Sequence, residues 1–549
     1  MTRSDARQIA SPPYEGSPAL AGTFAGVSLL RQQARSRIML RLALAVLALL
    51  ALGARLLPGE RTIDDAYITF RYARNLLAGH GFVYNPGERV LGTTTPLYTA
   101  LMAGEKLALP AVDFPALACW TNALADAGTA IVLALLCARL LGVPWMGLAC
   151  AALWAVHPTS VTFAISGMET SVYVLLLVLT LYAYAAGHDV ASAVLCGFAT
   201  LTRPDALLLA APLFAHMLWQ RRRIPWRAGL AFALVVAPWA AFATVYFGSP
   251  LPHSVPAKAA AYRIPPLNAL VQLIQHYGTP FLGDKILGPP WIGIGAILYL
   301  ALSLLGGLAL VRREQRLMPL VLYPWLYFAV FAARNPPMFR WYLVPMLPMY
   351  IVCILYGIRK LGVDLGEALR PHWPGVSGAA WAVGSVFWLA AATSLLLAWE
   401  VHPDHGPDRP APEAAWFQME HVYRRATLDL MAHRAIGPGT VIAVGDIGIV
   451  GYISDAQILD TLGLVSPQST VYYPLPEEAH VIVYAVPTQL ILDQQPDYVM
   501  LFEVYGRNTL LRSPEFAADY ELYRSWPTDT YIPGSNAMLI FQRRGVTSG

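Results

Sequence analysis

Along the first 400 positions apolar residues do not alternate with polar ones but run together. The first long run, 38–57, is close to the ~20 residues a helix needs to cross the hydrocarbon core of a bilayer. Ten more follow, at 114–138, 144–160, 170–187, 189–201, 204–219, 226–247, 290–311, 317–333, 341–358 and 377–399. Several are short enough to require a tilted or broken helix. The pattern predicts a polytopic α-helical membrane protein with about 11 spans. Beyond residue 400 the pattern changes. A helical stretch over 414–435 and strand-like runs at 440–444, 498–502 and 537–541 predict a small α/β domain. The expected organisation is an N-terminal tail (1–37), a membrane domain (38–400) with a long loop (58–113), and a C-terminal domain (401–549).

Basic residues orient the spans. Arg31, Arg35, Arg37 and Arg41 surround the start of the first run, and no small-residue cleavage site follows it, so it reads as an uncleaved anchor with a cytoplasmic N-terminus. Arg221 to Arg223 with Arg227, then Arg312, Arg313 and Arg316, then Arg359 with Lys360, all fall in loops that this topology places inside. The C-terminal domain is then outside. Segment 95–109 decides the parity: it is apolar but short, and it carries Glu105 and Lys106. A charged residue at mid-membrane costs roughly 2.5–3.5 kcal/mol on insertion scales. The segment is therefore expected to lie along the outer interface as an amphipathic helix, with Thr95 as its N-cap and Pro96 at its first position.

Composition agrees with the pattern. Hydrophobic residues make up 56% and charged residues 13%, against about 25% charged in a typical soluble domain. That excludes an ordinary cytosolic enzyme, and the wealth of aromatic residues excludes disorder. Up to residue 400 there are 29 Lys+Arg against 17 Asp+Glu, and beyond it 9 against 17. The basic excess is topogenic and does not indicate a nucleic-acid partner. Cys119, Cys137, Cys150, Cys196 and Cys353 all fall in apolar runs and form neither a disulfide framework nor a CxxC zinc pattern.

In this topology the acids, prolines and ring-bearing residues gather in loops on the outer side, which marks that face as the place for a site. Asp64-Asp65 is the sharpest feature, a few residues beyond the first span. These acids also suit the start of a helix, expected over 67–78, with Ile68, Tyr72 and Leu76 on its apolar stripe and Arg71, Arg74 and Asn75 elsewhere. That helix should stop at Gly79-His80-Gly81, and Asn85-Pro86-Gly87-Glu88 should form a tight turn. Glu169 begins a span, Arg203-Pro204-Asp205 interrupts an apolar stretch, and Asp126 lies inside the second span, where it needs a partner. Each also has an ordinary structural role open to it, as a helix-start acid or an ion pair. Other signals carry less: Gly445 to Gly451 is GxxGxxG and not the dinucleotide fingerprint, there is no Walker A motif, and no HExxH occurs. His402 and His405 with Asp404 sit in a Pro-rich linker without further ligands.

Asp64-Asp65-Ala66-Tyr67-Ile68, Asn85-Pro86-Gly87-Glu88 and Thr94-Thr95-Pro96-Leu97-Tyr98 resemble the first outer loop of GT-C glycosyltransferases, integral membrane enzymes that use polyprenyl-phosphate sugars. Ser166-Gly167-Met168-Glu169-Thr170, Leu201-Thr202-Arg203-Pro204-Asp205 and Pro250-Leu251-Pro252 with Lys258 are similar to a bacterial branch that includes arabinofuranosyltransferases of the mycobacterial envelope. Gly445-Asp446-Ile447-Gly448 and Leu459 to Leu464 extend the likeness into the C-terminal domain. Two departures are His253-Ser254, where relatives often carry Asn-Thr, and a C-terminal domain shorter than in the larger envelope enzymes. The resemblance implies inverting transfer of a sugar from a polyprenyl phosphate to a glycan, lipid or protein acceptor at the outer face of a bacterial inner membrane. Arabinofuranosyl transfer is one reading. It assigns the base to Asp64, with Asp65 orienting it or binding sugar, the order of the two staying open. Tyr67, Arg71, Glu169, Asp205 and the cations Arg203, Lys258 and Arg340 are then substrate-binding, the cations facing phosphate. Relatives differ in using a divalent metal. The competing readings are a lipid-linked-sugar flippase or other transporter with a periplasmic domain, and a degenerate member kept as a scaffold. The acids of the C-terminal domain suit either an acceptor surface or a solvated cap.

Overall fold

The computed structural model describes residues 38–281, 287–372, 379–400, 409–413, 415, 418–528 and 534–546. Arg31, Arg35, Arg37, Asp404, His402 and His405 lie outside the described residues. The chain divides into Met1–Val46, described only as the helical residues from Ile38, and a compact unit, Leu47–Gly549. Each of the eleven apolar runs is mainly helical where it is described. Among the described residues six helices have the length and composition to cross a bilayer: Ile38–Leu56, Phe114–Leu140, Trp226–Phe247, Trp291–Arg313, Gln315–Arg334 and Arg340–Leu369. The run 144–160 is instead a bent pair, Pro144–Val156 and Pro158–Ile165, with 51° between the halves. Pro158 causes the break: it forces His157 into an extended conformation (φ −62°, ψ 122°) and cannot continue the hydrogen-bond ladder.

Two expectations are corrected. Arg359 and Lys360 do not end their helix, which runs on to Leu369 with Lys360 paired to Asp364 one turn later. Thr95 stands at the N-cap position of the helix Pro96–Ala108, with Pro96 first as expected, but its side chain makes no capping hydrogen bond. Its hydroxyl lies 3.1 Å from that of Thr93 and 3.3 Å from that of Thr69, within the loop. Asp126 finds its partner in Arg55, at 2.9 Å, with the Ser171 hydroxyl donating at 3.1 Å. Both charges are fully buried, so either one alone would be a large liability.

The C-terminal domain carries a five-stranded mixed sheet. Its strand order is Gln457–Asp460, Val441–Val444, Tyr498–Phe502, Ala537–Arg543, Tyr520–Pro527, the first three parallel and the rest antiparallel. The parallel strands are nearly continuous apolar runs, as strands covered on both faces should be. Gln418–His433 and Ile447–Ser454 are its helices nearest the loop 58–113.

That loop is structured throughout. Ile63 is the N-cap, so the helix begins at Asp64 and runs to Leu77, three residues earlier than its apolar stripe suggests. It ends before Gly79 and Gly81, both with positive φ, and the turn at Asn85 closes with the Glu88 N–H donating to the Asn85 carbonyl at 3.1 Å. The polar stripe of this helix faces protein. Arg71 and Asn75 are buried, Arg71 against the Ala456 carbonyl of the C-terminal domain and Asn75 against the Val83 and Tyr84 carbonyls of the loop itself. Phe70, Tyr72 and Tyr84 of the loop share one hydrophobic core with Val444, Ile449 and Val450.

Candidate functional site

Where loop and C-terminal domain meet, they enclose a cavity of about 170 Å³. Asp64, Asp65 and Ile68 reach it from the first turns of the loop helix, and Lys258 and Tyr262 from the helix Ser254–Ala261 and the residue after it. Phe339 and Trp341 contribute stacked rings, centroids 4.7 Å apart. The C-terminal domain supplies Glu420, Asp446, Leu462 and Leu464.

The two adjacent aspartates have different surroundings. One Asp64 oxygen accepts the Gly448 N–H and the other the Ile449 N–H, each at 2.8 Å. The side chain therefore caps the helix Ile447–Ser454 from outside its own domain, an anion on a helix N-terminus. Burial raises the Asp64 pKa well above the usual carboxylate value and Asp446 beside it adds to this, while the two amides oppose the shift. The Asp64 N–H in turn donates to Glu420 at 2.9 Å. Each acid thus closes a helix start belonging to the other side. Asp65 is free of such duties: its side chain is 32% exposed and faces the Lys258 ammonium at 3.7 Å. That ammonium also lies 4.5 Å from the centre of the Phe339 ring, a cation–π contact.

Burial raises three carboxyls of the C-terminal domain, Glu420, Asp446 and Asp460, toward neutrality. Burial is the main cause that raises Glu420 to about 7, with the charges of Asp446 and Asp65 adding to it. Burial likewise lifts Asp446 to about 6 against the hydrogen bond from the Tyr423 hydroxyl, which donates at 2.8 Å. Asp460 is fully buried and accepts the N–H groups of Leu462 and Val465, both at 2.9 Å. It fixes the loop that brings Leu462 and Leu464 to the cavity wall.

Of the residues that the sequence resemblance makes catalytic or substrate-binding, the cavity unites Asp64, Asp65 and Lys258. The others lie elsewhere. The Tyr67 hydroxyl accepts from Arg424 at 2.9 Å, and Arg71 donates to the carbonyls of Tyr84 and Ala456, at 2.9 and 2.7 Å. Both therefore fasten the loop to the C-terminal domain. Arg203 is held by Glu169 at 3.3 Å and Asp205 at 3.0 Å, between the rings of Tyr173 and Tyr342. Arg340 opens the turn that carries Trp341 into the cavity wall. Glu420 was not anticipated, and Asp446 was known only from a motif. Glu420 bonds to Asp64, and the charge of Asp446 acts on it, across more than 350 positions, a separation that local sequence patterns do not report.

Among the described residues no group of three or more His, Cys, Asp and Glu side chains could hold a metal ion. Asp64 spends both oxygens on amides and Asp65 faces an ammonium, so in this arrangement neither of these two acids is set out as a ligand for a divalent cation.

The apo structure of ArnT from Cupriavidus metallidurans is similar to this chain over 93% of its length and 98% of ArnT, at 13% identity and TM-score 0.51. The fold is that of the GT-C glycosyltransferases. The Archaeoglobus fulgidus oligosaccharyltransferase, in complex with Zn and sulfate, shares the GT-C architecture over 90% of this chain and 72% of its own, at 12% identity and TM-score 0.51. The arabinofuranosyltransferase AftD from mycobacteria is 14% identical over 93% of this chain and 40% of its own, with TM-score 0.44. Residues 415–542 match the model of a family described as a domain of unknown function, DUF8728. No curated protein matches the chain.

Proposed function

We propose that the protein is an inverting glycosyltransferase that moves a sugar from a polyprenyl phosphate to a hydroxyl acceptor at the outer face of a bacterial inner membrane. The observation that carries this reading is the pairing of Asp65 with Lys258 in a cavity between the loop and the C-terminal domain. The GT-C fold, shared with ArnT and an oligosaccharyltransferase, supports it.

Asp65 is the base in this reading. Its side chain is 32% exposed, whereas Asp64 is 4% exposed and committed to two amides. The acceptor hydroxyl gives its proton to Asp65 as its oxygen attacks the anomeric carbon. The bond from that carbon to the phosphate oxygen breaks, and polyprenyl phosphate departs with the electron pair. Lys258 is the cation lining the cavity and receives the phosphate charge. Arg203 is a weaker choice, because Glu169 and Asp205 already outweigh its charge. One displacement inverts the anomeric centre. Arabinofuranose is one sugar compatible with the family likeness, and a glycan, lipid or protein hydroxyl can serve as acceptor.

The test is transfer of labelled sugar from a panel of polyprenyl-phosphate sugars by purified wild type, Asp65→Asn and Lys258→Ala. The reading expects turnover that falls at least about 100-fold in Asp65→Asn. Full activity in that variant sinks the assignment. Absence of turnover with every donor, together with lipid flipping by the wild type, favours the transporter instead.

A further inference from the structure

The transfer chemistry uses the Asp65–Lys258 part of the cavity and leaves the acids of the C-terminal domain without a task. Asp446 occupies the N-cap position of the helix Ile447–Ser454, where an aspartate ordinarily turns its carboxylate onto the second or third amide of its own helix. Here it makes no such bond. Those amides, on Gly448 and Ile449, are already taken by Asp64. Displaced from its own helix, Asp446 lines the cavity.

It is held there firmly. The Tyr423 hydroxyl donates to it at 2.8 Å and Tyr505 supplies a second hydrogen bond. Both rings are anchored, Tyr423 edge-on to Phe502 and Tyr505 edge-on to Tyr484, with centroids 5.1 Å apart in each pair. A carboxylate has about four acceptor sites, so two remain. Tyr262, Phe339 and Trp341 also line the space. A fixed carboxylate together with aromatic faces is the chemistry that recognises a sugar: the acid accepts ring hydroxyls and the rings cover the C–H face.

We infer that Asp446 binds hydroxyl groups of the donor sugar, so that the domain of unknown function is the sugar-reading wall of the active site. Lys258 holds the phosphate end and Asp446 the ring. Tyr423 is a positioning residue that acts through Asp446. This inference rests on the transferase reading, and the two are separable in a binding experiment.

Affinity is measured in detergent for two probes, a polyprenyl phosphate carrying one pentose or hexose and the same polyprenyl phosphate without sugar. Wild type is expected to prefer a sugar-bearing probe by about tenfold or more. Asp446→Asn, which keeps the side-chain shape, is expected to bring that preference to within about twofold while leaving affinity for the bare lipid unchanged. Tyr423→Phe should lose part of the preference. Lys258→Ala should weaken both probes equally, and unchanged affinity for bare lipid in that variant counts against the phosphate assignment alone. A preference that persists in correctly folded Asp446→Asn overturns the inference and leaves the transferase reading standing. A wild type that binds all sugar-bearing probes no better than bare lipid overturns it as well.

Discussion

Asp64 accepts the Gly448 N–H at 2.8 Å across 384 positions of chain, and thereby closes a helix of the C-terminal domain with a side chain from the loop. Glu420 returns the contact by accepting the Asp64 N–H at 2.9 Å. The domain interface and the proposed reaction site therefore share the same turn of backbone, and Asp65 is presented by it.

Asp64 and Asp65 should accordingly fail in different ways. Asp64→Ala leaves two buried amides unpaired and removes a helix cap, at a cost of about 1–3 kcal/mol. Its Tm should fall by several degrees, with activity lost alongside. Asp65→Ala removes a partly exposed side chain and should melt close to wild type while transfer collapses. Thermal unfolding and turnover measured on both variants check this, and an equal loss of stability in the two contradicts the division of labour.

The two glycines on this contact forbid side chains. A Cβ on Gly448 overlaps the Asp64 carbonyl, and one on Gly451 overlaps the Tyr84 hydroxyl and the Arg71 guanidinium. These neighbours are backbone or fully buried groups that have no room to give. Gly448→Ala and Gly451→Ala should loosen the docking of the two parts, giving faster proteolysis between them and transfer reduced at least tenfold. Limited proteolysis with an activity assay decides it; wild-type behaviour of Gly448→Ala contradicts the close approach.

These relationships mark the boundary of what the sequence made legible. The apolar runs could be read because helix length and hydrophobicity are local properties, and Asp64-Asp65 stood out because two adjacent acids follow the first span by only a few residues. Lys258 carried a motif. The loop helix was harder: Arg71 and Asn75 lie off its apolar stripe, and Arg71 is expected to meet substrate, yet both are buried. The Ala456 carbonyl that Arg71 reaches is 385 positions away. Asp446 looked like part of a glycine-rich turn, and its exclusion from its own helix N-terminus depends on Asp64 arriving there first.

Arg203 offers a test away from the cavity. It is almost fully buried between two carboxylates and two tyrosine rings, and its removal leaves Glu169 and Asp205 facing each other without a cation. Breaking such a group costs about 3–5 kcal/mol. Arg203→Ala should express poorly and unfold early, and Arg203→Lys should recover only part of the loss, because an ammonium cannot serve both acids and stack on Tyr342. Detergent-solubilised yield and Tm are the measurements. A fully stable Arg203→Ala that has lost only donor affinity points instead to a direct role with phosphate.

Stability should also fall with pH because of Glu420. Its carboxyl is raised to about 7 in the folded protein from 4.5, chiefly by burial, with Asp446 and Asp65 adding to the rise and the N–H groups of Asp64 and of its own backbone opposing it. Below pH 4.5 both folded and unfolded chains hold the proton, and the stabilising contribution is complete. Between 4.5 and 7 the folded chain holds more protons than the unfolded one, so stability declines as pH rises and levels off above 7, a loss on the order of 3 kcal/mol. Asp446 and Asp460, each raised to about 6 from 3.8, contribute with the same sign over a lower range, as does Asp64, raised well above its usual value. Glu420→Gln keeps an acceptor for the Asp64 N–H and removes one titration, so its Tm should decline less steeply from pH 5 to 8 than that of wild type, with Asp446 still contributing. Melting curves across that range distinguish the two; parallel profiles mean that the Glu420 carboxyl is not desolvated in the folded protein.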